Sequence, residues 1–557
     1  MTDQPQLASQ IMIKIGGTDV QEAVMNKLAS LSVDQNSHLP GMFTVQFNDP
    51  GLELLDSGPF DLTKEIEILA QKDDGTSISL IKGEITALEP QYGEGMISDL
   101  VIRGFDKSHR LFRETKSRAF LNIKDSDIAN QVAGAAGLSP QVDTTDTVYD
   151  HLFQHNQSDL AFLFQRAWRI GYECFVEDGK LYFRKPPSGG ESATLRWGEE
   201  LISFRPRLSL AEQVDEVFVR GWDAEQKAAI VGQASTGQLY PQTSEKTGAQ
   251  WASSFGKGKL VIVDLPVISQ AEANAVAKAR LDELSGTFIE AEGVAFRRPD
   301  IKAGKIIKIE ALGTRLSGKY LVTGATHTFA PEGLKTVFSV RGSHTGMVSE
   351  QMDRREPLDH FYGVVPALVT NVQDPNDWNR VKLKFPWMTE DAESDWARVI
   401  GAGAGPEAGF CVLPAVGDEV LVSFMHGDFD FPIVLGGLWN GQAKIPPPTV
   451  SESAADRPLV RTWHSIDGHY IVMDDKNKKI EIVSTGGIKV TVSDQDKKVT
   501  IANSQSTVVM EESKIAVESS SELTIKSKGN LKLDASGNID INATGQVTIK
   551  GQLINLN

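Results

Sequence analysis

Four sets of residues have types and spacings that could support chemistry. His151 and His155 stand four apart and would share one face of a helix, as zinc ligands do. No HExxH pattern accompanies them and no carboxylate is placed to act as a base, so polar contacts near a helix start are the expected role. His464, Ser465, Asp467 and His469 supply the residue types of a nucleophilic triad. They crowd one short turn instead of converging from separate elements, and no GxSxG is present, so contacts between chains are the better reading. Gly401, Gly403 and Gly405 form a glycine-rich run, but no GK[ST] follows to bind phosphate, which leaves a loop. Cys174 and Cys411 sit in apolar, strand-like contexts and read as buried packing thiols, and two cysteines exclude a disulfide framework.

The elements around these residues are organised by the end of the chain. From Glu522 it falls into blocks of eight: ELTIKSKG, NLKLDASG, NIDINATG, QVTIKGQL, then INLN. Each block carries an i, i+2 apolar pair: Leu523/Ile525, Leu531/Leu533, Ile539/Ile541 and Val547/Ile549. Such a pair lies on one face of a strand. The first three blocks close on Gly529, Gly537 and Gly545, where a bend is easiest. A looser version runs upstream through Ile480/Ile482, Ile488/Val490/Val492, Val499/Ile501, Val508 and Ile515/Val517. Full burial of the eight block residues would contribute roughly 12–24 kcal/mol gross. The segment has no second apolar face with which to cover them. Repeats of fixed short period must stack on equivalents. A single-chain solenoid is one solution; three chains wound about one axis, with these eight residues as core, is the one that a strand-plus-bend unit of eight favours.

The rest reads in order as strands, helices, strands and strands. Residues 1–115 alternate apolar and polar residues between turns such as Asp74-Gly75, as a first small β-barrel. Residues 116–194 form an α/β insertion. Within it SDIANQVAGAAGL and QSDLAFLFQRAWRIGY are helices, Ser158 is an N-cap, and Asp178-Gly179 is a hairpin turn. Residues 195–345 are a second β-barrel with one alanine-rich helix, SQAEANAVAKARLDELSG. A charged linker at 346–360 leads to 361–445, short strands with Gly/Pro/Asp turns and the length of an OB-fold. A connector at 446–475, stiffened by Pro446, Pro447 and Pro448, leads into the repeats at 476–557. The fold class is mainly β: two barrels with helical insertions, an OB-fold and a C-terminal intertwined triple-stranded β-helix, as a homotrimer.

At 557 residues the chain has room for three or four domains. A net charge of −18 argues against nucleic acid as a partner and suits solubility of a large assembly. No apolar leader follows Met1 and no apolar run approaches eighteen residues. The expectation is synthesis and assembly in the cytoplasm without a signal peptide.

The stretch Leu413-Pro414, Val416-Gly417-Asp418-Glu419-Val420 and GDFDFPIVLGGLWNG (427–441) resembles the OB-fold of VgrG proteins and phage baseplate spikes. NQSDLAFLFQRAWRIGYECFVEDGKLYF is similar to the hub of the same proteins, and SIDGHYIVMDD to their neck. The resemblance spans nearly the whole chain in the order hub, OB-fold, needle. It implies a trimeric spike of a contractile injection system: an extracellular phage-tail-like particle or R-type-bacteriocin-like system, type VI secretion, or a contractile phage. The compact length and short needle lean towards the extracellular particle. The two barrels of three chains would make a pseudo-sixfold hub beneath a hexameric inner tube protein, surrounded by baseplate proteins. The needle would puncture the target envelope, with transient membrane contact. Its blunt end, Leu553, Ile554, Asn555, Leu556 and Asn557, would take a PAAR-type tip protein or carry cargo. No catalytic residue, metal or cofactor is implied, and the reading is of a protein that is not an enzyme. The alternatives are a spike that degrades cell wall and a trimeric receptor-binding fibre.

Overall fold

A computed structural model describes residues 11–37, 39–94, 98–237, 241–243, 246–340, 361–389, 391–444 and 457–556. The linker 346–360, Pro446 to Pro448 and Asn557 lie outside the described residues. The chain divides into two units, Met1–Leu438 and Trp439–Asn557.

The first unit is mainly β. Its two β regions do not form separate sheets. Strands from both enter one eleven-stranded sheet, joined where Leu28–Asn36 pairs antiparallel with Gly324–Ala330. Alternation decides which side is buried. Leu31, Val33, Phe43 and Val45 face one core, and Ala291, Phe338 and Val340 face another, while Ser32, Asp34 and Thr44 take the opposite side. A small sheet of Glu216–Asp223, Ala228–Ala234 and Lys259–Ile262 is covered by helix Gln270–Gly286.

The insertion folds as its residues suggest. Helix Asp125–Ala135 buries Ile128 and Val132, and Gly137 ends it at φ 69°. Helix Asp159–Arg169 is capped by Ser158, whose Oγ accepts the Ala161 N–H at 3.2 Å, and it buries Leu160, Leu163 and Ala167. Asp178 and Gly179, both at positive φ, turn strand Glu173–Glu177 into Lys180–Arg184.

Residues 365–437 hold a five-stranded sheet around Val369, Leu383, Phe385, Val420 and Val422. Phe153 of the insertion reaches into that core. The second unit contains a seven-stranded antiparallel meander from Val460–His464 to Ile515–Ser519, in which each strand pairs with the next. Among the described residues, no helix is long and apolar enough to cross a membrane.

Candidate functional site

The residues with chemical potential do not converge. His151 and His155 lie on strand Tyr149–Ser158, not on a helix, so four residues of spacing no longer brings them to neighbouring turns. His151 Nε2 is 2.9 Å from the Glu393 carbonyl, and the His155 ring stacks on Phe429 with centroids 4.1 Å apart. Ser465 Oγ accepts the His469 backbone N–H at 3.0 Å, and His469 Nδ1 accepts the Thr485 N–H at 3.3 Å. Those bonds shape the turn and set up no nucleophile–base pair. Gly405 belongs to a minute hairpin, Ala404–Gly405 with Ala408–Gly409. Cys174 is buried, and burial pushes its thiol up; Cys411 is exposed, because its apolar neighbours belong to a loop instead of a strand. A cleft of 520 Å³ at the seam of the large sheet is lined by Asp34, Met42, Phe105 and Glu292, and its two hydroxyl side chains, Thr326 and Ser339, have no histidine among the lining residues to act as a base. No group of three or more His, Cys, Asp or Glu is gathered as for a metal among the described residues.

What the structure does present is an apolar face. In the seven-stranded meander, cross-strand partners fall into continuous rows. Trp463 faces Ile471, then Ile482, Val490, Ile501, Val508 and Val517 follow in register. Two residues along each strand, on the same face, runs a second row. It begins at Arg461 and continues through Met473, Ile480, Val492, Val499, Met510 and Ile515. The row between them, on the opposite face, is mixed: Thr462, Val472, Glu481, Thr491, Thr500, Val509 and Ala516. Glu481 is shielded there by Lys489 at 2.6 Å and Lys479 at 3.3 Å.

The polarity is inverted relative to a sheet that covers its own core. Ile482 is 50% exposed, Ile501 48% and Met510 49%, while Glu481 on the other side is buried. Turns hold the register. Lys478 and Lys497 adopt φ 52°, Gly468 and Gly487 are also left-handed, and Asp474 accepts the Asn477 N–H at 2.9 Å.

After Ser519 the chain changes character. Residues 522–556 contain no strand hydrogen-bonded within the chain, yet they bend at 528–529, 536–537, 544–545 and 552, the eight-residue period of the sequence. Leu523, Ile525, Leu531, Leu533, Ile539, Ile541, Val547 and Ile549 are each about half exposed or more. Leu553 is 79% and Leu556 88% exposed. Upstream of Ser519 the strands take neighbours from their own chain, where the repeat pattern alone suggested intertwining from 476 onwards. The longer spacing there leaves room for hairpin turns that octads lack.

Two family models match the chain. Residues 365–439 match the type VI secretion system/phage-baseplate injector OB domain. Residues 12–331, more than half of the chain, match the Alg8 N-terminal domain. Relatives in Pseudomonas aeruginosa include the type VI secretion system spike proteins VgrG1b and VgrG1a. VgrG1b is 25% identical over 35% of this chain and 29% of its own length; VgrG1a is 30% identical over 23% and 22%. The chain belongs to the Alg8 N-terminal domain family, and it is a VgrG-like spike protein. The match spans under a third of these curated relatives' own length. A chain of the half-lidded Francisella PdpA–VgrG complex shares the fold at TM-score 0.50, with 9% identity over 92% of this chain and 88% of that one.

Proposed function

We propose that this VgrG-like chain is a homotrimeric spike, in which three copies close their apolar faces around a common axis. The observation that carries the reading is the pair of cross-strand apolar rows, half exposed in one chain and continued by the exposed octad pairs. Covering what remains exposed would contribute about 1 kcal/mol per side chain, on the order of 10 kcal/mol per chain for the meander alone. Apolar faces this long are rarely left open to water. The octads then find ladder partners in the other two copies as an intertwined β-helix, so needle folding and trimerisation are coupled.

The rod transmits axial force, and its work comes from the surrounding sheath, so no catalytic residue or cofactor is required. The two β regions of three chains adapt a hexameric inner tube to the three-fold needle, within a baseplate. The exposed side chains of Leu553, Ile554 and Leu556, with Asn555 and Asn557 beside them in sequence, take a PAAR-type tip protein, which covers their apolar surface. The protein is assembled in the cytoplasm as part of an injection particle, acts on a target envelope by puncture, and has no nucleic-acid partner.

Light scattering on the purified protein tests the reading. A mass near three chains supports it, and a mass of one chain overturns it. Removal of residues 553–557 should abolish capture of the tip protein while the trimer persists; undiminished capture would refute the tip assignment.

A further inference from the structure

The insertion and the five-stranded sheet meet along strand Tyr149–Ser158. Phe153 packs within the five-stranded core, and its N–H donates to Asp430 Oδ1 at 2.6 Å. Asp430 is the second aspartate of the sequence Gly427-Asp428-Phe429-Asp430-Phe431-Pro432. Its own N–H donates to Asp428 Oδ1 at 3.1 Å, which fixes the turn that aims it. Two residues before Phe153, His151 Nε2 lies 2.9 Å from the Glu393 carbonyl. A carbonyl can only accept, so Nε2 carries the proton and neutral His151 keeps a bare lone pair at Nδ1. That Nδ1 is buried without a hydrogen-bond partner, 3.9 Å from Asp430 Oδ1. At 3.9 Å no hydrogen bond joins the two, but an unpaired lone pair facing a carboxylate inside the protein is repulsive unless the pair carries one proton.

We infer that His151 and Asp430 together hold one proton and form a joint that pins the OB domain to the hub insertion, tight while the proton is held and loosened when it leaves. The joint lies within one chain and stands whether or not three chains assemble.

The surrounding charges fit. Burial pushes the Asp430 carboxyl well up and Asp428 adds to it, against Arg166, the Phe153 N–H and Arg169. Burial holds His151 down with help from Lys382, against the Glu393 carbonyl and Asp395. The two shifts act in opposite directions on the pH axis. A released pair binds two protons below the ordinary aspartate range, where the joint resists the second, so acid loosens it. Between about pH 4 and 6.5 both states hold one proton and the joint is at its tightest. Above about 6.5 the released pair gives its proton up while the joint keeps one, so the joint weakens as pH rises through its own proton loss.

Hydrogen exchange of the Phe153 amide in the full-length protein, corrected for intrinsic exchange, reads the joint directly. Protection should fall at least tenfold between pH 6.5 and 9. In Asp430→Asn, whose carboxamide oxygen still accepts the Phe153 N–H while its NH2 can donate to Nδ1, protection should not vary with pH. His151→Phe places an apolar ring in an apolar site and should move the midpoint of the fall to lower pH. A flat wild-type profile, the same fall in Asp430→Asn, or an unmoved midpoint in His151→Phe would each overturn the proposal. Where Asp430→Asn does not fold, His151→Phe decides.

Discussion

Arg169 Nε donates to Glu272 Oε1 at 2.9 Å with both side chains buried, so one charge pair ties helix Asp159–Arg169 to helix Gln270–Gly286. Glu272 also accepts the Tyr149 hydroxyl at 3.0 Å and the Ile268 N–H at 2.8 Å. Burial alone would raise its carboxyl, but Arg169, the Ile268 N–H and Arg166 outweigh that and hold it below the ordinary glutamate range. Arg169→Met would leave a buried carboxylate without its cation and should cost about 3–5 kcal/mol in urea unfolding. Adding Glu272→Met should restore most of that loss, because the isolated charge goes with it. The contribution is present above the ordinary glutamate pKa and disappears as pH falls through the depressed one.

His327 is fully buried, and burial, with Lys302 nearby, pushes its pKa down to about 3 against Asp300 and the Ile301 backbone. The folded protein therefore keeps it neutral where the unfolded chain protonates it. Stability should fall as pH drops from about 6.5 towards 3, by on the order of 2 kcal/mol at pH 4.5. His327→Leu removes the titrating ring, at the loss of its 3.0 Å bond to Thr336 Oγ1. Denaturation midpoints at pH 7.5 and 4.5 should differ less in the variant than in the parent.

Neither group could be found from the sequence, and the reason is distance along the chain. Arg169 and Glu272 are joined only through packed helices, as Leu28–Asn36 meets Gly324–Ala330 only through a register that no local pattern encodes. What depends on a few neighbouring residues was legible: the Ser158 cap, the Asp178-Gly179 turn, the stop at Gly137 and the eight-residue bends. The same locality misled at His151 and His155, where a spacing of four suggests a helix face but the backbone is extended. It misled again at Cys411, whose apolar neighbours Phe410 and Val412 are exposed. For the exposed apolar rows, the i, i+2 pairs gave the apolar face, while the cross-strand order of the meander needed the register to be seen.

Asp374 holds the loop between strands Val365–Asn371 and Lys382–Lys384. Its carboxylate accepts the backbone N–H groups of Asn376, Trp378 and Arg380 at 3.0–3.1 Å and both arms of the Arg380 guanidinium at 2.7 and 2.9 Å. The Arg380 bonds, with the backbone donors, hold its pKa far below the usual aspartate range even though burial opposes them. Asp374→Ala should cost about 2–3 kcal/mol, since several donors lose their acceptor together. In the parent the loop is secure above the ordinary aspartate pKa and is released only as pH falls well below it. Limited proteolysis after Trp378, in parent and variant across pH 2–7, would follow that release.

Ile482 sits between Ile471 and Val490 in the row that crosses the meander. If that face is where copies meet, Ile482→Asp places a carboxylate from every copy in the same apolar core, where unpaired charges are strongly disfavoured. Thr500→Asp puts the same charge on the opposite row, beside Thr491 and Val509. Light scattering at micromolar concentration should show Ile482→Asp as single chains and Thr500→Asp at the parent mass. Thermal unfolding of the first unit, read from its tryptophans, should be alike in both, which separates lost assembly from lost folding. An Ile482→Asp protein that keeps the parent mass would move the meeting surface off this face, because no seam of apolar side chains tolerates a ring of aspartates without a partner for them.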